Sequence, residues 1–266
     1  MHVLIAEDDA LHRTFARTIL EELWSGDLEV LEASDGEHAI ELAARHDPSC
    51  VVLDLQLPKL TGIEVARAIW GRRVETRILF WSNFADEAYV RGVARIVPSG
   101  SIYGYVLKSA SADGMRSALR GVLREGHCII DREIRGIQHR VQDRLEGITD
   151  SEYESLIDIA LGLTDKTIAM RRGLSIRGAQ SRIQHLYDKF GLSATADPTP
   201  DGAPVFNPRT RAIHLAICRG LINADVMRRE QRRLEAWLES AASSTPSGDG
   251  SSPSQPRIEG LPGSVA

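Results

Sequence analysis

The chain has 266 residues, room for about two domains that each bury a core, and its 42% hydrophobic and 26% charged residues are those of an ordinary globular protein. No apolar run approaches the ~18 residues of a membrane-spanning helix and no basic segment followed by an apolar stretch opens the chain, so membrane classes are excluded, while Cys50, Cys128 and Cys218, odd in number and far apart without C-x-x-C spacing, suit a reducing cytoplasm and give no metal site. The net charge of −5 is unevenly placed: residues 1–125 carry 14 basic against 19 acidic side chains, residues 126–162 carry 4 against 8, and residues 163–240 carry 13 against 8, so the two halves suit different partners.

Strand-length apolar runs recur at residues 3–6, 28–33, 50–53, 78–81 and 103–107. Between them stand segments with helical spacing: Leu11, Phe15, Ile19 and Leu23, then Ala39, Leu42 and Ala43, then Ile63, Ala66 and Ile69, with Met115, Leu119 and Val122 after the last run. This alternation predicts a five-stranded, doubly wound parallel α/β domain over residues 1–125. No further strand is expected after Gly126. Residues 126–146 read as a helical linker with Ile134, Ile137, Val141 and Leu145 on one face, able to pack on the first domain or to pair between subunits. An all-α domain is expected over 147–222 with a Pro-rich insertion at 193–208, then a C-terminal helix at 223–240. The Ser-, Pro- and Gly-rich residues 241–266 read as a disordered tail.

Ligands of open parallel sheets bind beyond the carboxyl ends of the strands. Here the first strand runs into Glu7, Asp8 and Asp9, the third ends in Asp54, the fourth in Ser82 and the fifth in Lys108. Converging carboxylates repel one another unless a cation sits among them. Mg²⁺ suits such a set, because it takes hard oxygen ligands and keeps room for water and phosphate oxygen. A lysine and a hydroxyl beside an aspartate able to act as nucleophile complete the parts for forming an acyl phosphate. At this point residues 1–125 resemble the receiver domains of two-component response regulators. The resemblance implies that Asp54 is the phosphoacceptor, that Glu7, Asp8 and Asp54 hold Mg²⁺ with the backbone carbonyl of Gln56, that Ser82 and Lys108 meet the phosphoryl group, and that Tyr105 is the aromatic switch residue. The stretch from Tyr89 to Lys108 is longer than usual in that family, and Ser109 stands where proline often follows the lysine.

In the second domain, Thr149 and Glu152 form a capping-box pattern, Thr164 caps a short helix, and Gly173-Leu174-Ser175 makes a tight turn with Ser175 as the next cap. The following helix places Ala179, Ile183, Leu186 and Phe190 on one face and Arg177, Gln180, Ser181 and Gln184 on the other, the layout of a recognition helix. Glutamine pairs with adenine and arginine with guanine, while Lys166, Arg171, Arg172, Arg182 and Lys189 are placed to meet phosphates. Residues 162–192 resemble the LuxR-type helix-turn-helix of the NarL/FixJ regulators, which implies that Gln180, Ser181 and Gln184 face bases. Residues 209–222 resemble that family's final helix. Two departures are Arg172, where an apolar core residue is usual, and Gly178-Ala179 in place of a bulkier pair.

The combined expectation is a non-enzymatic, DNA-binding response regulator with a sensor histidine kinase and promoter DNA as partners, forming a homodimer on phosphorylation. The alternative is a phosphoreceiver whose degenerate output domain acts by protein–protein contact.

Overall fold

The computed structural model describes residues 1–24, 26, 28–83, 85–142, 147–192 and 205–243. Leu145, most of the insertion and the tail beyond Ser243 lie outside the described residues. Strands β1 (His2–Ala6), β2 (Glu29–Ala33), β3 (Cys50–Leu53), β4 (Arg77–Ser82) and β5 (Tyr103–Leu107) alternate with helices α1 (Ala10–Leu23), α2 (Gly36–His46), α3 (Gly62–Arg72), α4 (Glu87–Ala94) and α5 (Ala112–Leu119). All strands are parallel, in the order β2-β1-β3-β4-β5 with one more strand at the edge, so the strand order reverses between β1 and β3. Side-chain alternation buries both faces: Val3 and Ile5 pack with Ile19, Leu20, Met115 and Leu119, while Leu4 and Ala6 pack with Ile63, Ile69 and Phe80. No helix among the described residues is long and apolar enough to cross a membrane.

Two expectations are corrected. A sixth strand, β6 (Ile129–Ile130), pairs in parallel with β5, so the sheet has six strands and the strand–helix alternation does pass Gly126. Two residues are too few to leave a period in the sequence. Of the two arrangements open to the linker helix, packing on the first domain is the one seen: α6 (Arg132–Gln142) buries Ile134 and Ile137 in the core formed by α3, α4 and the sheet. Leu11 is not a core residue; it is 81% exposed, and Phe15 is only partly covered where it stacks on Trp81. The buried face of α1 is Ala16, Ile19, Leu20 and Leu23.

Helix starts are set locally. Asp9 accepts from the N–H groups of Leu11 and His12, and Thr61 and Glu64 form a reciprocal capping box at α3. Gly62 matters for the site: a Cβ there would lie 2.1 Å from the Asp54 carbonyl, so only glycine lets α3 begin against the end of β3.

The C-terminal half is helical: α7 (Asp150–Ala160), α8 (Asp165–Arg172), α9 (Ile176–Lys189), α10 (Pro208–Cys218) and α11 (Ala224–Ser243), the last extending three residues past its expected end. The Thr149–Glu152 box caps α7, Thr164 caps α8 and Ser175 caps α9, as the sequence pattern predicts. Gly173 adopts φ 63° in the turn between α8 and α9, a left-handed conformation that glycine takes without cost. Leu156, Ile168, Ala179, Ile183, Leu186 and Ala212 form the centre of this core. Ala88 of α4 is buried in the same cluster, so the two halves share a packed contact.

Candidate functional site

The ladder brings the acidic residues together at the point where the strand order reverses. Asp54 N–H donates to the Ala6 carbonyl (2.9 Å) and Glu7 N–H to the Ala33 carbonyl (3.0 Å), which sets Glu7 and Asp54 side by side just beyond β1 and β3. Carboxylate oxygens of Glu7, Asp8 and Asp54 lie within 4.8 Å of one another, Asp8 exposed and the other two buried. Lys108 reaches in from the end of β5, its Nζ 2.9 Å from Asp54 Oδ2 and 2.7 Å from Glu7 Oε2, while its own N–H donates to the Ser82 carbonyl (2.8 Å).

Burial pushes the Asp54 carboxyl above its usual range, Lys108 opposes that shift, and the Asp8 charge adds to it. Glu7 is likewise raised, first by burial, with Lys108 pulling down and Asp54 pushing up. Burial works against the Lys108 charge, but its hydrogen bonds to Asp54 and Glu7 outweigh this and raise its pKa. Three carboxylates against one ammonium leave two negative charges, the complement of one divalent cation. The donors are all hard oxygens, and exposed Asp8 leaves a side open to water; the residues present therefore fit Mg²⁺ better than a thiophilic metal.

Among the other expected residues, Ser82 is fully buried and hydrogen-bonds the Tyr105 phenol, itself 1% exposed. Gln56 N–H donates to Asp54 Oδ1 (3.1 Å). Several neighbours escaped the sequence reading. Arg13 Nη1 donates to the carbonyls of Glu7 (2.7 Å) and Asp8 (3.1 Å), holding the acidic turn, and Lys108 Nζ lies 5.5 Å from the Trp81 ring centroid. The Gln56 side chain donates to the Tyr89 hydroxyl (2.8 Å). Only the i, i+4 position of Arg13 in a capped helix after the acids is a signal that the sequence offers for any of these.

On the helical half, Lys166, Arg177, Gln180, Ser181 and Gln184 are exposed and Arg182 is half-buried, so α8 and α9 present one polar surface. Three residues expected to meet phosphates, Arg171, Arg172 and Lys189, do not lie there. Arg171 turns inward, its Nη1 2.6 Å from the fully buried Asp158 carboxylate, with its side chain 8% exposed. Lys189 donates to the Gly147 carbonyl (2.8 Å) and to Glu152 (2.9 Å), tying the end of α9 to the start of α7. Helical spacing gives the face of a side chain but not the acid awaiting it inside.

Both departures in the helix-turn-helix have local compensation. Arg172 packs its guanidinium on Asp158, with Nε 2.7 Å from Oδ2 and Nη2 3.0 Å from Oδ1. Burial opposes the Arg172 charge, yet the Asp158 partner leaves its pKa raised. Gly178 sits in the first turn of α9, where its N–H donates to the Ser175 hydroxyl (3.0 Å), a position at which a glycine costs less than in a helix interior.

A parallel sheet of this order with an acid cluster at its switch point and a lysine at the end of β5 defines a receiver domain, and residues 3–120 match the family described as response regulator receiver domain. Over nearly their whole length, transcriptional regulators are similar to the chain. The transcriptional regulatory protein YdfI of Bacillus subtilis is 27% identical over 231 residues, covering 84% of this chain and 98% of that protein. The transcriptional activator protein ExaE of Pseudomonas putida is 27% identical over 230 residues with the same coverage. A solved complex of the two-component response regulator RcsB with DNA shares the fold at 22% identity and a TM-score of 0.52, over 73% of this chain and 94% of that one. Residues 3–120 are thus a response regulator receiver domain, and along most of its length the chain is similar to transcriptional regulators.

Proposed function

We propose that this response regulator receives a phosphoryl group on Asp54 from a partner sensor histidine kinase in the cytoplasm and, so modified, binds promoter DNA in a sequence-specific manner as a homodimer. The observation that carries the reading is the convergence of Glu7, Asp8 and Asp54 within 4.8 Å, with Lys108 Nζ 2.9 Å from Asp54. In the step itself an Asp54 oxygen attacks phosphorus in line, the P–N bond to the kinase imidazole breaks, and the electron pair leaves with the ring. Lys108 meets a phosphoryl oxygen in exchange for its Asp54 contact, and the Ser82 hydroxyl donates to another. Glu7, Asp8, Asp54 and the Gln56 carbonyl would hold Mg²⁺, which offsets charge on the phosphoryl oxygens when bound. Asp54 reacts once per signal, so the chain is a switch rather than an enzyme in this reading.

Lys166, Arg177, Gln180, Ser181, Arg182 and Gln184 are the proposed DNA contacts, with Arg171, Arg172 and Lys189 set aside because their charges are engaged within the domain. The names of YdfI and ExaE and the DNA bound to RcsB support transcription control as the output. A purely protein-binding output has little left to favour it once Arg172 and Gly178 are seen to be compensated. The test is Asp54→Asn: it should abolish acid-labile phosphate uptake from a small-molecule phosphodonor with Mg²⁺ and remove the phosphodonor's effect on promoter footprinting. Label persisting at the wild-type level would overturn the assignment.

A further inference from the structure

The loop that carries Asp54 is connected by hydrogen bonds to the far end of the chain. Gln56 N–H donates to Asp54 Oδ1 (3.1 Å), and the same residue's side-chain amide donates to the Tyr89 hydroxyl (2.8 Å). The Tyr89 hydroxyl in turn donates to the Asp225 carboxylate, a partner 136 positions away in sequence and in the first turn of α11. Tyr89 is 1% exposed, so its hydroxyl pairs within a dry contact where each partner matters.

The link lies at the centre of the contact between the halves. Ala88 N–H donates to the Gly220 carbonyl (3.0 Å), Arg91 donates to the Ile148 carbonyl (2.7 Å), Asn223 reaches Asp86 (3.4 Å), and Arg232 of α11 pairs with Glu64 of α3 (3.0 Å). Meanwhile Arg177, Gln180, Ser181 and Gln184 stay exposed. The contact therefore does not hide the recognition face; it fixes the orientation of the output domain on α4.

Resting on the reading of Asp54 as the phosphoacceptor, we propose that Tyr89 is a positioning residue that couples Asp54 to the output domain. Through Gln56–Tyr89–Asp225, the docked α11 holds the acceptor loop in its unphosphorylated arrangement, and phosphorylation releases α11 by drawing Gln56 away. Coupling of this kind is reciprocal: if phosphorylation weakens docking, weakened docking strengthens binding of the phosphoryl group by the same factor. A variant in α11 thus changes affinity at a site it never touches.

The test uses the full chain with Mg²⁺ and beryllofluoride as the phosphoryl probe, read by fluorescence of Trp81, which lies beside Lys108. Tyr89→Phe and Asp225→Ala should each bind beryllofluoride about fivefold to tenfold more tightly, within the usual range of allosteric coupling. The double variant should match the single ones, because both break one series of hydrogen bonds. Small-angle scattering without the probe should show both variants more extended than the wild type. Unfolding of Tyr89→Phe would leave Asp225→Ala, which keeps the Tyr89 ring in place, to decide. Affinities within twofold of wild type, or two effects that multiply, would overturn the coupling while the acceptor reading stood. Beryllofluoride bound equally by Asp54→Asn would instead remove the acceptor reading itself.

Discussion

Asp158 offers a direct test of whether the output domain is intact. Its carboxylate is fully buried and faces two guanidinium groups, Arg171 at 8% and Arg172 at 18% side-chain exposure. In Asp158→Ala both arginines are deprived of their main partner inside the protein. Breaking a buried pair in this way costs about 3–5 kcal/mol. Arg172 retains Glu154 at 3.4 Å, but that acid is 40% exposed, and Arg171 retains Glu230 only at 3.7 Å. The residual pairs place the expected loss near the low end, about 3 kcal/mol, a large part of the 5–15 kcal/mol typical of a domain. Urea unfolding read by far-UV circular dichroism should show it as a midpoint lowered by roughly 1–3 M for a slope of 1–3 kcal/mol per M. Fluorescence of Trp70 and Trp81, both buried in the receiver, should report a later transition. Asp165→Ala is the control, because its pairing with Arg209 is about one-third exposed on each side and is expected to matter by no more than ~1 kcal/mol. Replacing Asp158, Arg171 and Arg172 together with Leu, Met and Leu should recover most of the loss, since an apolar trio needs no charge compensation. Asp158→Ala unfolding within 0.5 kcal/mol of wild type, a threshold set by ordinary surface substitutions, would refute the view that Asp158 is what permits Arg172 in this core.

On DNA, Gln180→Ala and Gln184→Ala should each relax sequence preference by about 1–3 kcal/mol, the discrimination carried by one bidentate side chain on a base, measured by competition between the preferred site and point variants of it. Lys166→Ala should weaken all sequences alike and flatten the salt slope, whereas Arg171→Ala should alter stability and leave that slope unchanged. For pH, burial pushes Glu152 up but the Thr149 N–H and Lys189 outweigh it, so its folded pKa lies below the usual 4.5. The stability it contributes is present above pH 4.5 and is lost as pH falls through the folded value; in Glu152→Gln that acid-side loss should shrink, as read by melting temperature from about pH 6 to 3. Phosphodonor should shift the wild-type chain toward dimers in sedimentation while Asp54→Asn stays indifferent, and equal behaviour of the two would remove phosphorylation as the control of association.

The parts legible in the sequence are those specified by neighbours along the chain. Five apolar runs and the polar residues at their ends locate the sheet and its switch point, and the Thr149–Glu152, Thr164 and Ser175 caps announce α7, α8 and α9 because a cap acts over three residues. What escaped is non-local or too short. Ile129 and Ile130 become a strand only because the edge of β5 is there to pair with. Arg171 looks like a surface base until Asp158, a turn and a helix away, is placed beneath it. No period in the sequence relates Tyr89 to Asp225. Between Tyr89 and Lys108, α4 ends at Ala94 and the chain passes through an irregular segment before β5, where no periodicity marks the sequence.

The strength of the contact between the halves bears on how it is released. A phosphoryl group can shift the arrangement only by as much as it interacts differently with the docked and undocked forms. Most of the links across the contact are individually weak. Asp150, which receives Arg91 and Arg95, is 72% exposed, and Arg232 is 54% exposed where it meets Glu64. Exposed pairs of this type contribute about 0–1 kcal/mol each. Arg91 and Tyr89 are the exceptions on the receiver side: Arg91 is 3% exposed with a buried bond to the Ile148 carbonyl, and Tyr89 is 1% exposed with a buried bond to Asp225. Ala88 adds only a methyl group to the output core. A contact built this way holds one orientation without requiring a large free energy to leave it. The charge of a phosphoryl group beside Lys108, acting through Gln56, is commensurate with that requirement, whereas a contact of large apolar residues would not yield to it. Because α4 meets the output domain through Ala88, the Tyr89 hydroxyl and the Arg91 and Arg95 guanidiniums rather than through a broad apolar face, a switch at Asp54 is physically able to free the output domain.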